Sequence, residues 1–522
     1  MDRRLALRLR RLLNTKQDHL VQHGQKGLER EALRVTQEGT IAQTPHPSEL
    51  GAALTHPLIT TDYSEALLEF ITAPREDLAI ALDCLYQAHL YVQHVLSDEL
   101  LWATSMPCKI QDEISIPIAN YGRSNIGMMK HIYRRGLGYR YGRAMQAIAG
   151  VHFNYSLRDE FWPVFQEQEQ DVHPLGVFIS NAYFGLIRNL QRFGWLPIYL
   201  FGASPALCKS FFGARPSDFL QFDERTYFGP HATSLRMSDI GYHNKNPAGL
   251  TISYDNLETY LSSLTQALHT PHPDYEAIAI MSDGEYHQLN ANLLQIEDEY
   301  YSTMRPKRVP LPGERPSEAL RRRGVKYVEL RSLDVDPFSV IGVNNPQLYF
   351  LEAFLVFCLL HESPPITDDE RQVIEHNQGV VARSGRAPGL KLQFNEQPRS
   401  LMTWANEILE EMSGICEILD RGLETKPYCD ALDWQIQSIR DPERTPSFRM
   451  LDEMRHHKES FFEFAMRRTK QQQDHFRVQP LSDQQLHRFR EQAQQSFMDQ
   501  KVLEDADELT FDEFLRHYLG QS

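Results

Sequence analysis

Apolar residues recur along this chain with two periods, and the two alternate. Leu5, Leu7, Leu9, Leu12 and Leu13 interleave with Arg3, Arg4, Arg8, Arg10 and Arg11, predicting a basic amphipathic first helix that ends near His23-Gly24. Gly27 to Val35 then predicts a strand, with a turn at Glu38-Gly39. Leu78, Ala81, Leu82, Leu85, Ala88 and Val92 fall at helical spacing and predict a helix from about Arg75 to Ser97. Residues 122–147 read as helical in their second half, followed by a strand over Gly150 to Ser156.

Further on, a helix is predicted over Tyr183 to Phe193, a turn at Phe201 to Pro205, and a strand group between Tyr286 and Glu299. Residues 305–324, rich in Pro, Arg and Glu, read as a loop, and Val325 to Leu333 as a strong strand. From about Asn345 the pattern is helical, broken by Pro-rich loops near 364–366 and 442–446, and the tail after 470 reads as solvated helices. The expected fold class is therefore α+β: a mostly antiparallel sheet, then a helical C-terminal third. The expected division is residues 1–345 as a catalytic sheet region and 346–522 as a helical region packed on it, within two domains or one.

Composition narrows this picture modestly. With 522 residues, 41% hydrophobic and 24% charged, the chain is of ordinary globular type. A formal charge of −16 disfavours a general nucleic-acid binder, because an acidic surface repels phosphate backbones. The most apolar stretch, Phe350 to Leu360, is too short to span a bilayer and carries Glu352, so no membrane segment is expected. Six scattered cysteines without a CxxC pair fit a cytoplasmic protein and leave room for one bridge.

Four constellations carry candidate chemistry. Glu29 and Glu31 lie two apart on a strand and so project from one face, as do His152 with Asn154 and Glu329 with Arg331. Glu69 lies inside an apolar run, near Asp62 and Glu65, where a carboxylate needs a partner or a metal to stay charged. Each has an ordinary explanation: a solvated strand face, a surface helix bearing Glu65 and Glu69, a structural histidine, or an intra-strand ion pair. Together they supply hard oxygen ligands and one imidazole, which suit magnesium or manganese better than zinc. Two or three such ions with arginines make a polyphosphate site. There is no GxxxxGK[ST], no strand-linked GxGxxG, no HExxH and no GxSxG, so any ATP here is held by metals and arginines rather than a glycine cradle.

These segments resemble the proteobacterial type of glutamate–cysteine ligase. The matching blocks are Gly27 to Glu31, Ala53 to His56, Ile59 to Thr72, Ser105 to Cys108, Gly150 to Ser156, Phe193 to Trp195 with Tyr199 to Pro205, Ala232 to Tyr242, Arg305 to Arg308, and Glu329 to Leu333. They stand in family order over about residues 20 to 345. The resemblance implies a glutamine-synthetase-like carboxylate–amine ligase, with a curved antiparallel sheet forming a funnel for ATP, L-glutamate and metal ions. It implies Glu29, Glu31, Glu69, His152 and Glu329 as metal ligands, and Arg331 as the residue on the transferring phosphoryl group. The cysteine pocket it implies is lined by Tyr63, Tyr133, Leu137, Tyr242 and Tyr301, with Asp62, Gln146 and Arg236 as polar partners. Asp62 is also the candidate to orient the amine or receive its proton. Tyr63 stands where the family pattern has Phe, and Tyr300-Tyr301 where it has one tyrosine. The expected reaction is ATP-dependent joining of the glutamate γ-carboxylate to the amine of L-cysteine, the first step of glutathione biosynthesis, with inhibition by glutathione left open. A γ-glutamyl ligase for another amine, a metal-dependent phosphohydrolase and a non-catalytic scaffold are the alternatives.

Overall fold

The computed structural model describes residues 3–107, 109–213, 215–241, 251–311, 313–394 and 397–520. Seven strands form its main sheet: β1 (Gln25–Thr36), β2 (Ile59–Thr61), β3 (Leu67–Ile71), β4 (Glu99–Leu101), β5 (Gly150–Ser156), β6 (Met304–Lys307) and β7 (Tyr327–Asp334). They lie in the order β6-β7-β5-β1-β3-β2, with β4 on the far end of β1, and every pairing is antiparallel. The result is an open sheet within an α+β fold.

Register decides which residues share a face. Glu29 stands opposite His152, Glu31 opposite Glu69, and Glu329 opposite both Asn154 and Arg305. Since side chains alternate, all of these project to one side. Leu28, Ala32, Leu68, Phe70, Val151, Phe153, Val328 and Leu330 project to the other and are buried. Helix α2 (Leu78–Val95), capped by Asp77 on the Ala79 amide, covers that apolar side, where its His89 stacks on Phe70 with centroids 3.9 Å apart. Helix Asn345–Leu360 covers it too. Its Glu352 accepts from Lys26 Nζ at 2.9 Å and from Tyr428 Oη at 2.7 Å, all three out of solvent. The charged face meets α3 (Asn125–Tyr141), which is capped by Ser124 on the Gly127 amide.

Several expectations are corrected. The first helix, α1 (Arg3–Asn14), stops before Lys16, which takes φ 57°, and a 3-10 turn follows at Asp18–Val21. Its arginines serve docking: Arg8 pairs with Glu169 at 2.7 Å and donates to the Leu360 and His361 carbonyls. Residues 125–141 are helical throughout, because the Ser124 cap starts the helix earlier than the apolar pattern suggested. The helix around Tyr183 also begins earlier, at Leu175.

Between Tyr286 and Glu299 there is no strand group; the described strands are the short pair Met281–Ser282 and Glu285–Tyr286. Amide side chains satisfy that backbone instead. Gln288 donates to the Tyr275 and Ile278 carbonyls, and Gln295 accepts from the Leu289 amide. The supposed loop 305–324 contains edge strand β6 and helix Pro316–Arg323. A hairpin, Lys391–Phe394 with Gln397–Ser400, interrupts the helical C-terminal third. No described helix is long and apolar enough to cross a membrane. Cys208 is disulfide-bonded, so the scattered cysteines do include a bridge.

Candidate active site

The cluster is assembled by three adjacent strands and the one beyond. β1 supplies Glu29 and Glu31, β3 Glu69, β5 His152 and β7 Glu329. His152 sits at the centre. Its Nδ1 lies 2.9 Å from Glu29 Oε2 and 3.5 Å from Glu329 Oε1, and its Nε2 lies 3.5 Å from Glu31 Oε1. Two groupings have donor atoms close enough to share an ion: Glu29, His152 and Glu329, and Glu31, Glu69 and His152.

Four carboxylates with one imidazole leave charge to be balanced. Burial raises the Glu31 pKa. Burial, together with the charges of Glu29, Asp62 and Glu31, pushes Glu69 well above the ordinary carboxylate value. Glu69 has no hydrogen bond or ion pair among the described residues. Glu329 goes the other way: burial opposes its ionisation, but Lys307, Arg331, His152 and Arg305 hold it well below the ordinary value. Glu29 is likewise lowered: burial and the Glu329 charge oppose its ionisation, but the His152 hydrogen bond and the charges of His152 and Lys307 together outweigh them. Burial works against the Lys307 ammonium, yet Glu329 keeps its pKa high.

The donor set fits a hard divalent cation. Cis ligands on an octahedral ion with bonds of about 2.1 Å stand roughly 3 Å apart, comparable to the 2.9 and 3.5 Å spacings around His152. Asn154 Oδ1 is buried without a hydrogen-bond partner, and Glu69 has neither a hydrogen bond nor an ion pair among the described residues, as donors awaiting a cation do.

Around this cluster the other expected residues fall into two neighbourhoods. Arg331 Nη1 lies 3.0 Å from Glu329 Oε1, and Arg236 Nη2 donates to the Arg331 carbonyl at 2.9 Å. Arg236 also faces Asp334 at 3.8 Å, which is itself held by Ser204, Ser234 and the Ala203 amide. Gly150 is needed here, because a Cβ at that position would overlap the Arg236 guanidinium. Gln146 and Tyr301 bond side chain to side chain at 2.7 Å.

Asp62 sits in the turn between β2 and β3, and its carbonyl accepts from Tyr121 Oη and Arg134 of α3. Its charge acts on Glu31, Glu69 and Tyr301. Tyr133 and Leu137, one turn apart on α3, are buried, and the charge or hydroxyl of Glu299, Tyr301 and Arg134 acts on Tyr133. Tyr63 is 1% exposed, with its hydroxyl directed at Gly138 and lacking a hydrogen-bond partner. Tyr242 lies outside the described residues. Glu65 is elsewhere: it accepts from the His46 and Asn120 amides as a turn support.

Sequence reasoning gave no role to Lys307, and placed Asn154 beside His152 without assigning it a partner. Lys307 Nζ pairs with Glu329 Oε2 at 3.2 Å, and Asn154 Nδ2 donates to Glu29 Oε1 at 2.8 Å. The signal for Asn154 was its two-residue offset from His152. That for Lys307 was hidden by Pro306, which makes the segment look like a loop but is tolerated on an edge strand.

Fold and site define a class: an α+β protein that carries a carboxylate–histidine cluster suited to a divalent cation on the polar face of an open antiparallel sheet. A model of the glutamate–cysteine ligase family matches residues 9–381. The chain belongs to the glutamate–cysteine ligase family. It is 48% identical over 520 residues to the glutamate–cysteine ligase of Azotobacter vinelandii, covering 99% of this chain and 97% of that one. The Alcanivorax borkumensis glutamate–cysteine ligase is 46% identical over 519 residues, covering 98% and 99%. The crystal structure of the Francisella tularensis glutamate–cysteine ligase in complex with AMP superposes with a TM-score of 0.90 at 36% identity, covering 95% of this chain and 98% of that one.

Proposed function

We propose that this protein uses ATP to join L-glutamate, through its γ-carboxylate, to the amino group of L-cysteine, giving γ-glutamylcysteine, ADP and phosphate in the bacterial cytoplasm. The observation that carries this is the carboxylate–histidine cluster on one sheet face of a chain in the glutamate–cysteine ligase family. Glu29, Glu31, Glu69, His152 and Glu329 would hold two or three Mg2+ ions, with Mn2+ an acceptable substitute. When bound, such ions screen polyphosphate charge and polarise phosphoryl oxygens.

The chain's own residues then have distinct tasks. A carboxylate is a poor electrophile, so the γ-carboxylate must first be activated as γ-glutamyl phosphate, a step governed by positioning and charge. Arg331, fixed by Glu329 and backed by Arg236, presents a guanidinium to the transferring phosphoryl group. Asp62, pinned through its carbonyl by Tyr121 and Arg134, orients the cysteine amine and receives its proton. Tyr133, Leu137 and the Gln146–Tyr301 pair form a wall that excludes water from the acyl phosphate, and Tyr63 is assigned to the same pocket. Glutathione contains the γ-glutamylcysteine unit and would compete there.

The test is ADP release with ATP, Mg2+ and glutamate, with and without cysteine or 2-aminobutyrate. Release that requires an acceptor and disappears in Glu29→Gln supports the ligase. Equal release without an acceptor would mean a phosphohydrolase.

A further inference from the structure

The two ion-sharing groupings are not equally accessible to a cation. Around Glu31, Glu69 and His152, Glu69 is bare of partners among the described residues. Around Glu29, His152 and Glu329, one carboxylate is already engaged: Glu329 Oε2 faces Lys307 Nζ at 3.2 Å and Oε1 faces Arg331 Nη1 at 3.0 Å. The two basic residues differ in freedom. Arg331 lies on the same strand as Glu329 and has a rigid planar fork. Lys307 reaches over from edge strand β6, with its side chain 31% exposed at the rim while Glu329 is 1% exposed below it. A lysine is a strongly hydrated point charge on a flexible four-carbon stem, suited to exchanging one anionic partner for another.

We propose that Lys307 is the resident counter-ion of the second grouping: a divalent cation entering at Glu29, His152 and Glu329 displaces its ammonium, which then takes a phosphate oxygen of the bound nucleotide. This rests on the reading of the cluster as a cation site for an ATP-dependent reaction. The exchange keeps every charge paired. Before cation binding, Lys307 offsets Glu329; afterwards the cation offsets Glu329 and the nucleotide offsets Lys307. The two events therefore favour each other, and by linkage each strengthens the other equally. The first grouping, with no lysine to displace, fills independently of nucleotide.

The experiment is calorimetric titration of Mn2+ into the nucleotide-free full chain, for the wild type, Lys307→Met and Lys307→Arg, each shown to be folded by its melting temperature. The wild type is expected to show a tight and a weak class of sites. Lys307→Met should tighten the weak class roughly tenfold and leave the tight class within about twofold, since a competing charge has been removed from one grouping alone. Lys307→Arg, which keeps the charge, should leave the weak class weak. In turnover assays Lys307→Met should raise the KM for ATP about tenfold while the amino-acid KM values stay within about twofold. An unchanged or weakened second class in Lys307→Met would overturn the proposal while leaving the cation site itself intact. Absence of any Mn2+ binding to the wild type would overturn the cation reading and this proposal with it.

Discussion

The ion pair between Lys26 and Glu352 ties the main sheet to the helical third, and it gives the sharpest stability test. Both side chains are essentially out of water, 1% and 0% exposed, with nitrogen and oxygen 2.9 Å apart. At an effective dielectric of about 20, that separation corresponds to roughly 6 kcal/mol of attraction. Most of this offsets the desolvation of the two charges, so the pair contributes little against an apolar replacement. Removing one partner is different, because it strands the other charge: Glu352→Gln should cost about 3–5 kcal/mol. For 522 residues unfolding with about 2.1 cal/mol/K each, the unfolding entropy is roughly 1.1 kcal/mol/K, so the melting temperature should fall by about 3–5 °C in scanning calorimetry. Replacing the whole unit, Lys26→Met with Glu352→Leu and Tyr428→Phe, should recover most of that loss, since no buried polar group is then left unpaired. A drop below 1 °C for Glu352→Gln, or a triple variant as unstable as the single one, would refute the reasoning.

Other outcomes can be checked more briefly. Glu69→Gln should lower kcat by at least about a hundredfold and abolish the rise in melting temperature that Mg2+ produces, because it removes the partnerless donor. Gly150→Ala should displace Arg236 and raise the amino-acid KM about tenfold, read by steady-state kinetics at saturating ATP. Glu169 provides a pH test: burial opposes its ionisation, but Arg8 and Arg4 hold its pKa at about 2, below the ordinary 4.5. A depressed carboxylate stabilises the fold above its unfolded pKa and loses that effect as pH falls through the folded value. Glu169→Gln should therefore destabilise by about 1–2 kcal/mol at pH 7, allowing for solvent screening, with the gap from wild type closing between pH 4.5 and 2.

Most of the sheet was legible because its strands announce themselves through alternation. Leu28 and Ala32 flank Glu29 and Glu31, and Val151, Phe153 and Tyr155 alternate with His152 and Asn154, a two-residue spacing that marks a two-faced strand. The candidate ligands were legible for the same reason, and register then brought them together. Where local signals compete, the sequence misled. Residues 286–299 have strand-like spacing, yet Gln288 and Gln295 satisfy the backbone in place of a ladder. Pro306 disguised an edge strand, so Lys307 went without a role. The role of Glu352 depends on Lys26, more than 300 positions away, and no local pattern reveals that pairing.

The separation of faces has a consequence for how such a gene can change. In β1 and β5 candidate ligands alternate with buried packing residues: Glu29 and Glu31 with Leu28 and Arg30, and His152 with Val151 and Phe153. Loss or gain of a single codon there would turn the strand over, driving acids into the core and leucines into the site. Length changes in these strands should thus be inherited in pairs or not at all. Reading frame has a second meaning in this sheet, with a period of two.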